Sequence, residues 1–458
     1  MYIDGNDKDN LLEGGAQDDT IIGRGGRDTL RGMAGDDSLY GGVGDDSILG
    51  GEGKDVIYDY DGDNFADGGA GDDTIEVGGQ STVRGGAGDD KIYALSGLLQ
   101  LSGNDGADQL YVNSYYESVI ATLNGGDGED LLQVDLDEYS DSSEVVLDGG
   151  DGIDTFRLGL SGQTFDLDLR GLANGPVVLA ELGLTLQNLE RGYLGFDGGD
   201  VKVNIGNAAI EVHADYGDDL LIAGKAGTLF DGGYGFDTIR AGGGADTLIG
   251  GYGDDVLNGG KGRDLALFDS ESSVQVDLRI KDVQFTGQGF DILIGIEDVS
   301  GGGDRDRLIG DDGGNRLQDD MYEWGDYADT LMGGGGADTL TAHAGEGVDM
   351  LTGGEGLDRF VFIHDQYNSD SGVEIIADLA ADELIDISAL DADIYASGDQ
   401  KFLLVSELSG ARGEAALVYD AKADKTLLLL ETGGWNDEPD YTIELLDGDW
   451  TGFTGFKL

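Results

Sequence analysis

The stretch Gly41-Gly-Val-Gly-Asp-Asp-Ser-Ile-Leu-Gly-Gly-Glu-Gly-Lys-Asp-Val-Ile-Tyr58 says one nine-residue phrase twice. Six positions, Gly-Gly-x-Gly-x-Asp, favour a tight turn, because glycine takes up positive φ at no steric cost. The next three alternate outward, inward, outward, as a short strand does. The phrase holds its phase far beyond this pair. Units begin at 5, 14, 23, 32, 41, 50, 59 and 68, and after an eight-residue unit (Val77 to Arg84) at 85, 94 and 103. A second series begins at 214, 223, 232, 241, 250 and 259, and a third at 301, 310, 324, 333, 344 and 353.

A three-residue strand buries nothing alone, so the units must stack. The inward residue is Ile21, Leu30, Leu39, Ile48, Ile57, Ile75, Ile92 and Leu110 in the first series, and Leu221, Ile239, Leu248 and Leu257 in the second. Two units make one coil of a flattened, right-handed parallel solenoid with a narrow aliphatic core. Position six of alternate units then falls on one edge: Asp19, Asp37 and Asp55 line one, Asp28 and Asp46 the other. Carboxylates repeated every ~4.8 Å repel unless hard cations sit between them. Carboxylate and turn-carbonyl oxygens without nitrogen or sulfur suit calcium better than magnesium, which demands octahedral geometry and gives up water reluctantly.

Composition points the same way. The 458 residues carry a net charge of −68, so the chain resists compaction unless cations compensate it. With 39% hydrophobic residues, including 19 Tyr and 14 Phe, it can still build a core and does not read as disordered. The charge argues against nucleic acid and anionic lipid as partners. There is no cysteine, which removes disulfides and thiolate metal sites together. The N-terminal residues lack the basic and apolar regions of a signal peptide, and no stretch approaches the ~18 apolar residues of a membrane span.

These units resemble the RTX family, whose calcium-binding repeat is GGxGxDxUx with U a large aliphatic residue. The resemblance implies an all-β, calcium-stapled parallel β-roll in which position-six aspartates and turn carbonyls of alternate units share multiple Ca2+ ions. By position, the implied ligands are Asp19, Asp28, Asp37, Asp46, Asp55, Asp73, Asp90 and Asp108 in residues 1–111. Residues 214–267 supply Asp219, Asp237, Asp246, Asp255 and Asp264, and residues 301–361 supply Asp306, Asp329, Asp338, Asp349 and Asp358. Position six is instead Asn10, Asn64 and Asn315 in three units, Leu99 in one and Thr228 in another. The second acid of Gly-Asp-Asp (Asp36, Asp45, Asp72, Asp89, Asp254) is expected at the solvent rim.

Two interruptions and a tail complete the plan. In residues 112–213, units survive around Asp130 and Asp154 between alternating stretches such as Thr164-Phe-Asp-Leu-Asp-Leu-Arg170. These read either as longer strands and expanded turns on the same solenoid or as a second β-rich element docked on it. Residues 268–300, ending Phe290-Asp-Ile-Leu-Ile-Gly-Ile-Glu-Asp298, form a similar insertion. Residues 362–458 resemble the cap of serralysin-type proteases. Ile375-Ile-Ala-Asp-Leu through Ile385-Asp-Ile-Ser-Ala-Leu-Asp-Ala392 carries that likeness, and Ala416–Asp420, Thr426–Leu430 and Tyr441–Leu446 are read as antiparallel strands closing the open edge. In that family the far C-terminus is a type I secretion signal.

Catalytic motifs are not evident. His213, His343 and His364 form no HExxH pattern, there is no Gly-x-Ser-x-Gly elbow, and the glycines lead into strands and not phosphate-binding helices. The expectation is a non-enzymatic protein, secreted without an N-terminal signal peptide, that folds on calcium binding outside the cell and acts in a structural, adhesive or surface-associated role. Its expected partners are calcium, the type I secretion machinery, and cell-surface polysaccharide or other surface proteins. Alternatives are the C-terminal folding and secretion module of a larger hydrolase, or a polysaccharide-modifying or polysaccharide-binding solenoid with Tyr111, Tyr115, Tyr116 and Tyr139 as stacking candidates.

Overall fold

The structure, a computed structural model, describes residues 1–95, 97–114, 118–136, 143–162, 164–319, 327–344, 347–364, 373–390, 401–409, 411–432 and 441–458. It divides into two compact units, Met1–Leu229 and Phe230–Leu458. The described residues contain no α-helix and a single 3₁₀ turn, Leu172–Asn174.

In the first unit two parallel sheets face each other across the aliphatic core. Thr20–Gly25, Ser38–Val43, Val56–Asp59 and Thr74–Val77 belong to one sheet, and Thr29–Ala34, Ser47–Glu52 and Asp63–Ala70 to the other. Each residue pairs with the one 18 positions later, as Ile21 does with Leu39 and Leu39 with Ile57, so two nine-residue units make one coil. Ile21, Leu39, Ile57, Ile75, Ile92, Leu110, Leu132 and Phe156 therefore stack in one fully buried column. Each is worth ~1.5–3 kcal/mol of burial, which no isolated three-residue strand could realise. Next in that column comes Gly192, whose missing side chain leaves room for the Phe156 ring.

Several later strands extend the first of these sheets, while Phe165–Asp168 and Val201–Gly206 pair in parallel in another. Gln109–Asn113 pairs with Leu131–Leu136, which pairs with Thr155–Ser161, which pairs with Arg191–Asp197, all in parallel. Strands of the second sheet lengthen from six residues at Thr29–Ala34 to nine at Ile120–Gly128. The cause lies in the position-six column, which runs Asp28, Asp46, Asn64 and then Ser81, Leu99, Ala121, Val145 and Leu184. Once the acid is gone, the strand runs straight through the place of the turn.

The second unit repeats the parallel scheme. The 268–300 insertion stays within the sheets: Gln275–Asp277 pairs with Arg307–Ile309, and Phe290–Ile294 with Val256–Asn258. Beyond Met350–Glu355, parallel pairing continues through Val373–Ile376 to Tyr441–Leu445. There the direction reverses, and Lys425–Glu431 and Glu414–Asp420 add antiparallel strands, as the sequence led us to expect. Phe456–Lys457 pairs with Leu384–Ala389. Burial alone would push the Asp386 carboxyl up, but hydrogen bonds from Ser388 and ion pairs with Arg359 and Lys457 (3.1 Å) hold it below the usual range. Tyr115, Tyr116 and Tyr139, and residues 391–392 of the cap motif, lie outside the described residues.

Candidate calcium ladders

The position-six aspartates form ladders. On one edge of the first unit the Asp19 N–H donates to Asp37 Oδ1 (2.7 Å), Asp37 to Asp55 (2.8 Å), Asp55 to Asp73 (2.7 Å) and Asp73 to Asp90 (2.7 Å). The series goes on through Asp108 and Asp130 to Asp154. One carboxylate oxygen is thus consumed by the backbone of the coil before. The other, Oδ2, is buried with no hydrogen-bond partner at Asp37, Asp55, Asp73, Asp90, Asp108, Asp130 and Asp154. A buried, orphaned carboxylate oxygen is costly, and its recurrence at one repeat position points to a missing positive partner.

The first glycine of each unit shows where that partner fits. A Cβ placed on Gly14 would lie 2.5 Å from Asp19 Oδ2 and 2.5 Å from the Gly32 carbonyl oxygen. The same convergence of carboxylate and carbonyl recurs at Gly32, Gly50 and Gly68. Carboxylate and carbonyl oxygens converging in this way are the hard donors that calcium takes. A side chain on the glycine would push them apart.

The opposite edge is shorter. The Asn10 N–H donates to Asp28, Asp28 to Asp46, and Asp46 to Asn64 Oδ1 (3.0 Å), after which the column turns apolar at Leu99. Where Asn64 has lost the charge, the first glycine of its unit has become Asp59. A Cβ on Gly41 would lie 2.5 Å from Asp59 Oδ2 and 2.8 Å from Asp46 Oδ2, so Asp59 returns a carboxylate to the same cradle. Burial, then the charge of Asp46, pushes the Asp59 carboxyl up to about 8. Sequence reading missed Asp59; its signal was the paired departure of positions one and six within a single unit.

In the second unit the ladders are Asp237–Asp255–Asp291, Asp246–Asp264–Glu297, Asp306–Asp329–Asp349–Glu374 and Asn315–Asp338–Asp358. Asp219 in the first unit accepts the Val201 N–H (2.7 Å), and the Thr228 hydroxyl donates to the Ile210 carbonyl oxygen. Every aspartate expected from the sequence is buried. The residues not foreseen are the final rungs: Glu190, Asp291, Glu297 and Glu374 each accept the N–H of the last repeat aspartate. Two share a local phrase that could have revealed them, Leu186-x-x-Leu-Glu190 and Leu293-x-x-Ile-Glu297.

Electrostatics follow from this packing. At ~4.8 Å, two unit negative charges repel by roughly 3–4 kcal/mol at an effective dielectric of about 20. Burial pushes Asp55, Asp90, Asp108, Asp130 and Asp338 up to about 6, Asp73 to about 7 and Asp255 to about 8, with neighbouring acids pushing the same way against the backbone hydrogen bonds. The second acid of Gly-Asp-Asp forms an outer ladder. Asp36, Asp45, Asp72 and Asp89 each accept a backbone N–H from the next coil, and Arg27 and Lys54 add ion pairs to Asp45 (2.8 Å) and Asp72 (2.6 Å). These rim pairs are exposed and worth little individually.

Comparison with known families agrees with this geometry. A model of the RTX calcium-binding nonapeptide repeat (four copies) matches residues 4–39, 22–57, 49–81, 78–98 and 231–266. A model of the peptidase M10 serralysin C-terminal region matches residues 284–452. Comparison with curated proteins finds none that matches. The matched serralysin region is non-catalytic, and no catalytic peptidase domain is among the matches. RTX repeats bind multiple calcium ions, and the two matched regions together mark a secreted, calcium-binding protein of the type I secretion kind. The chain thus carries RTX calcium-binding nonapeptide repeats followed by a serralysin-type C-terminal region.

Proposed function

We propose that this chain is an extracellular structural or adhesive element, folded by calcium on the ladder aspartates, whose adhesive face is a row of outward tyrosines that docks neutral surface polysaccharide. In the cytosol, at low calcium, the carboxylates repel and the chain stays exportable. Outside, ions bridge successive coils and their binding energy becomes folding energy, as extracellular calcium modules working at ~10⁻⁴–10⁻³ M do.

The observation that carries the adhesive reading is register. Along the outer face of one sheet of the first unit, Tyr40, Tyr58, Glu76, Tyr93, Tyr111, Gln133, Arg157 and Tyr193 occupy successive paired positions. Tyr40 and Tyr58 stack at 5.4 Å between ring centroids, Tyr93 meets Tyr111 at 6.1 Å, and the Arg157 guanidinium lies 4.6 Å over the Tyr193 ring. Upright rings with polar tips offer apolar faces to sugar rings and hydroxyls to their edges at low entropic cost. The chain's negative charge favours a neutral polymer over an acidic one.

The test is affinity electrophoresis of the calcium-loaded protein in gels containing a soluble neutral β-glucan. The double variant Tyr58→Ala/Tyr111→Ala should lose about thirtyfold in affinity, roughly 1 kcal/mol per tyrosine, with its circular dichroism unchanged. Equal retardation of the two proteins, or none of either, would refute the adhesive reading and leave the calcium-driven fold untouched.

A further inference from the structure

The last ladder of the second unit contains a cluster that the nine-residue repeat does not generate. Carboxylate oxygens of Asp319, Asp329 and Asp349 lie within 4.8 Å of one another, and all three residues are buried. Asp329 and Asp349 are repeat aspartates, but Asp319 is not at position six. A Cβ on Gly301 would meet the Asp319 carbonyl oxygen, just as one on each cradle glycine meets the carbonyl of the glycine one coil on. Asp319 therefore occupies a cradle-glycine slot and brings a carboxylate where ordinary rungs have no side chain.

Its neighbours complete a shell. His343 holds Asp319 by its backbone N–H (2.9 Å to Oδ2) and by Nδ1 (2.7 Å to Oδ1). This orients the carboxylate. Glu374 accepts the Asp349 N–H through Oε2 (2.9 Å), while its Oε1 is buried without a hydrogen-bond partner. Glu374 itself is 0% exposed. The Tyr441 hydroxyl lies beside Glu374, within the field of Asp349 and Asp319, and is likewise buried without a well-formed hydrogen bond.

We propose that Asp319, Asp329, Asp349 and Glu374, closed by the Tyr441 hydroxyl, form a buried calcium site at the end of this ladder that is tighter than the ordinary rungs. The donors are hard oxygens, and the one imidazole nearby is engaged with Asp319, which selects calcium over transition metals. Ligands on opposite sides of a calcium ion stand about 4.6–5.2 Å apart, so three oxygens within 4.8 Å of one another can share one ion. Affinity in oxygen cages rises with ligand charge, and this site has more carboxylates than a rung made of aspartate and carbonyl. Glu374 sits on Val373–Ile376 and Tyr441 on Tyr441–Leu445, paired strands at the C-terminal side of the array. Filling the site therefore pins these two strands to the repeats, so docking of the C-terminal region is coupled to the first ions bound. This inference stands independently of the adhesive reading.

The experiment equilibrates the full chain against calcium buffers of graded strength and measures retained metal by elemental analysis, with tyrosine difference absorbance recorded in parallel. The wild type should retain a tight class of ion at calcium levels about tenfold or more below the midpoint for the rest. Asp319→Asn should lose that class, while Asp37→Asn, on a first-unit ladder, should keep it. Tyr441→Phe should keep the fold but lose the absorbance change that accompanies the first ion. An Asp319→Asn protein that retains the tight class, or an Asp37→Asn protein that loses it equally, overturns the proposal. Should Asp319→Asn fail to fold at saturating calcium, the Tyr441→Phe comparison decides: identical first-ion absorbance changes in it and the wild type overturn the assignment.

Discussion

Gly32→Ala isolates the cation's space from every other property of the roll. Gly32 is not among the residues with positive φ, so its backbone accepts alanine. At such a position the change by itself stabilises a fold by about 0.4–1 kcal/mol, through a less flexible unfolded chain. The new Cβ, however, would lie 2.6 Å from the Gly50 carbonyl oxygen and closer still to Asp37 Oδ2, in the gap between the two oxygens. The methyl group would push these two oxygens apart, so they could no longer converge on one ion. At calcium 100-fold above a site's dissociation constant, the lost ion is worth about 2.7 kcal/mol, so the loss outweighs the gain. The assay is a calcium titration followed by circular dichroism, with bound metal counted at saturation. The variant should bind fewer ions, and its deficit should grow by about 1.4 kcal/mol for each tenfold rise in calcium. A purely steric defect would give a deficit independent of calcium, and that result, or an unchanged ion count, would refute the reasoning.

Two further predictions concern charge. Burial raises the carboxyls of Asp55, Asp73 and Asp90 to about 6–7 in the fold from 3.8, so without calcium the folded state is favoured at low pH and loses that advantage as pH rises through 6–7. In excess chelator, β-sheet circular dichroism should therefore grow on acidification from pH 8 to 5, whereas the calcium midpoint should move to higher concentration because ions compete with protons; a chelated protein equally folded at both pH values would contradict this. Asp46→Ala should weaken calcium binding beside Asp28 and Asn64 but spare the Asp37–Asp55 ladder, since Asp46 bonds along its own edge, to Asp28 and Asn64; lanthanide titration showing equal losses on both edges would count against separate ladders.

Much of this was legible in the sequence because a repeat is a one-dimensional code. The nine-residue phase fixed which residues face inward, and the observed pairing of Ile21 with Leu39 and Leu39 with Ile57 follows it. The same phase placed Asp37 and Asp46 on different edges, because a coil of two units returns alternate turns to one side. Only residues that break the phase escaped. Asp59 and Asp319 stand where the pattern calls for glycine, and the sequence does not tell that such a slot opens into a cation cradle. Glu190 follows Asp154 by 36 residues and Glu374 follows Asp349 by 25, distances set by how the intervening chain folds back. The sequence by itself determined the coil, its core and the chemistry of its edges, since those depend on neighbours at fixed spacing. Tertiary structure decided that Asp291 and Glu374 end their ladders, because each final rung comes from whichever acid the irregular chain delivers to a buried carboxylate's side.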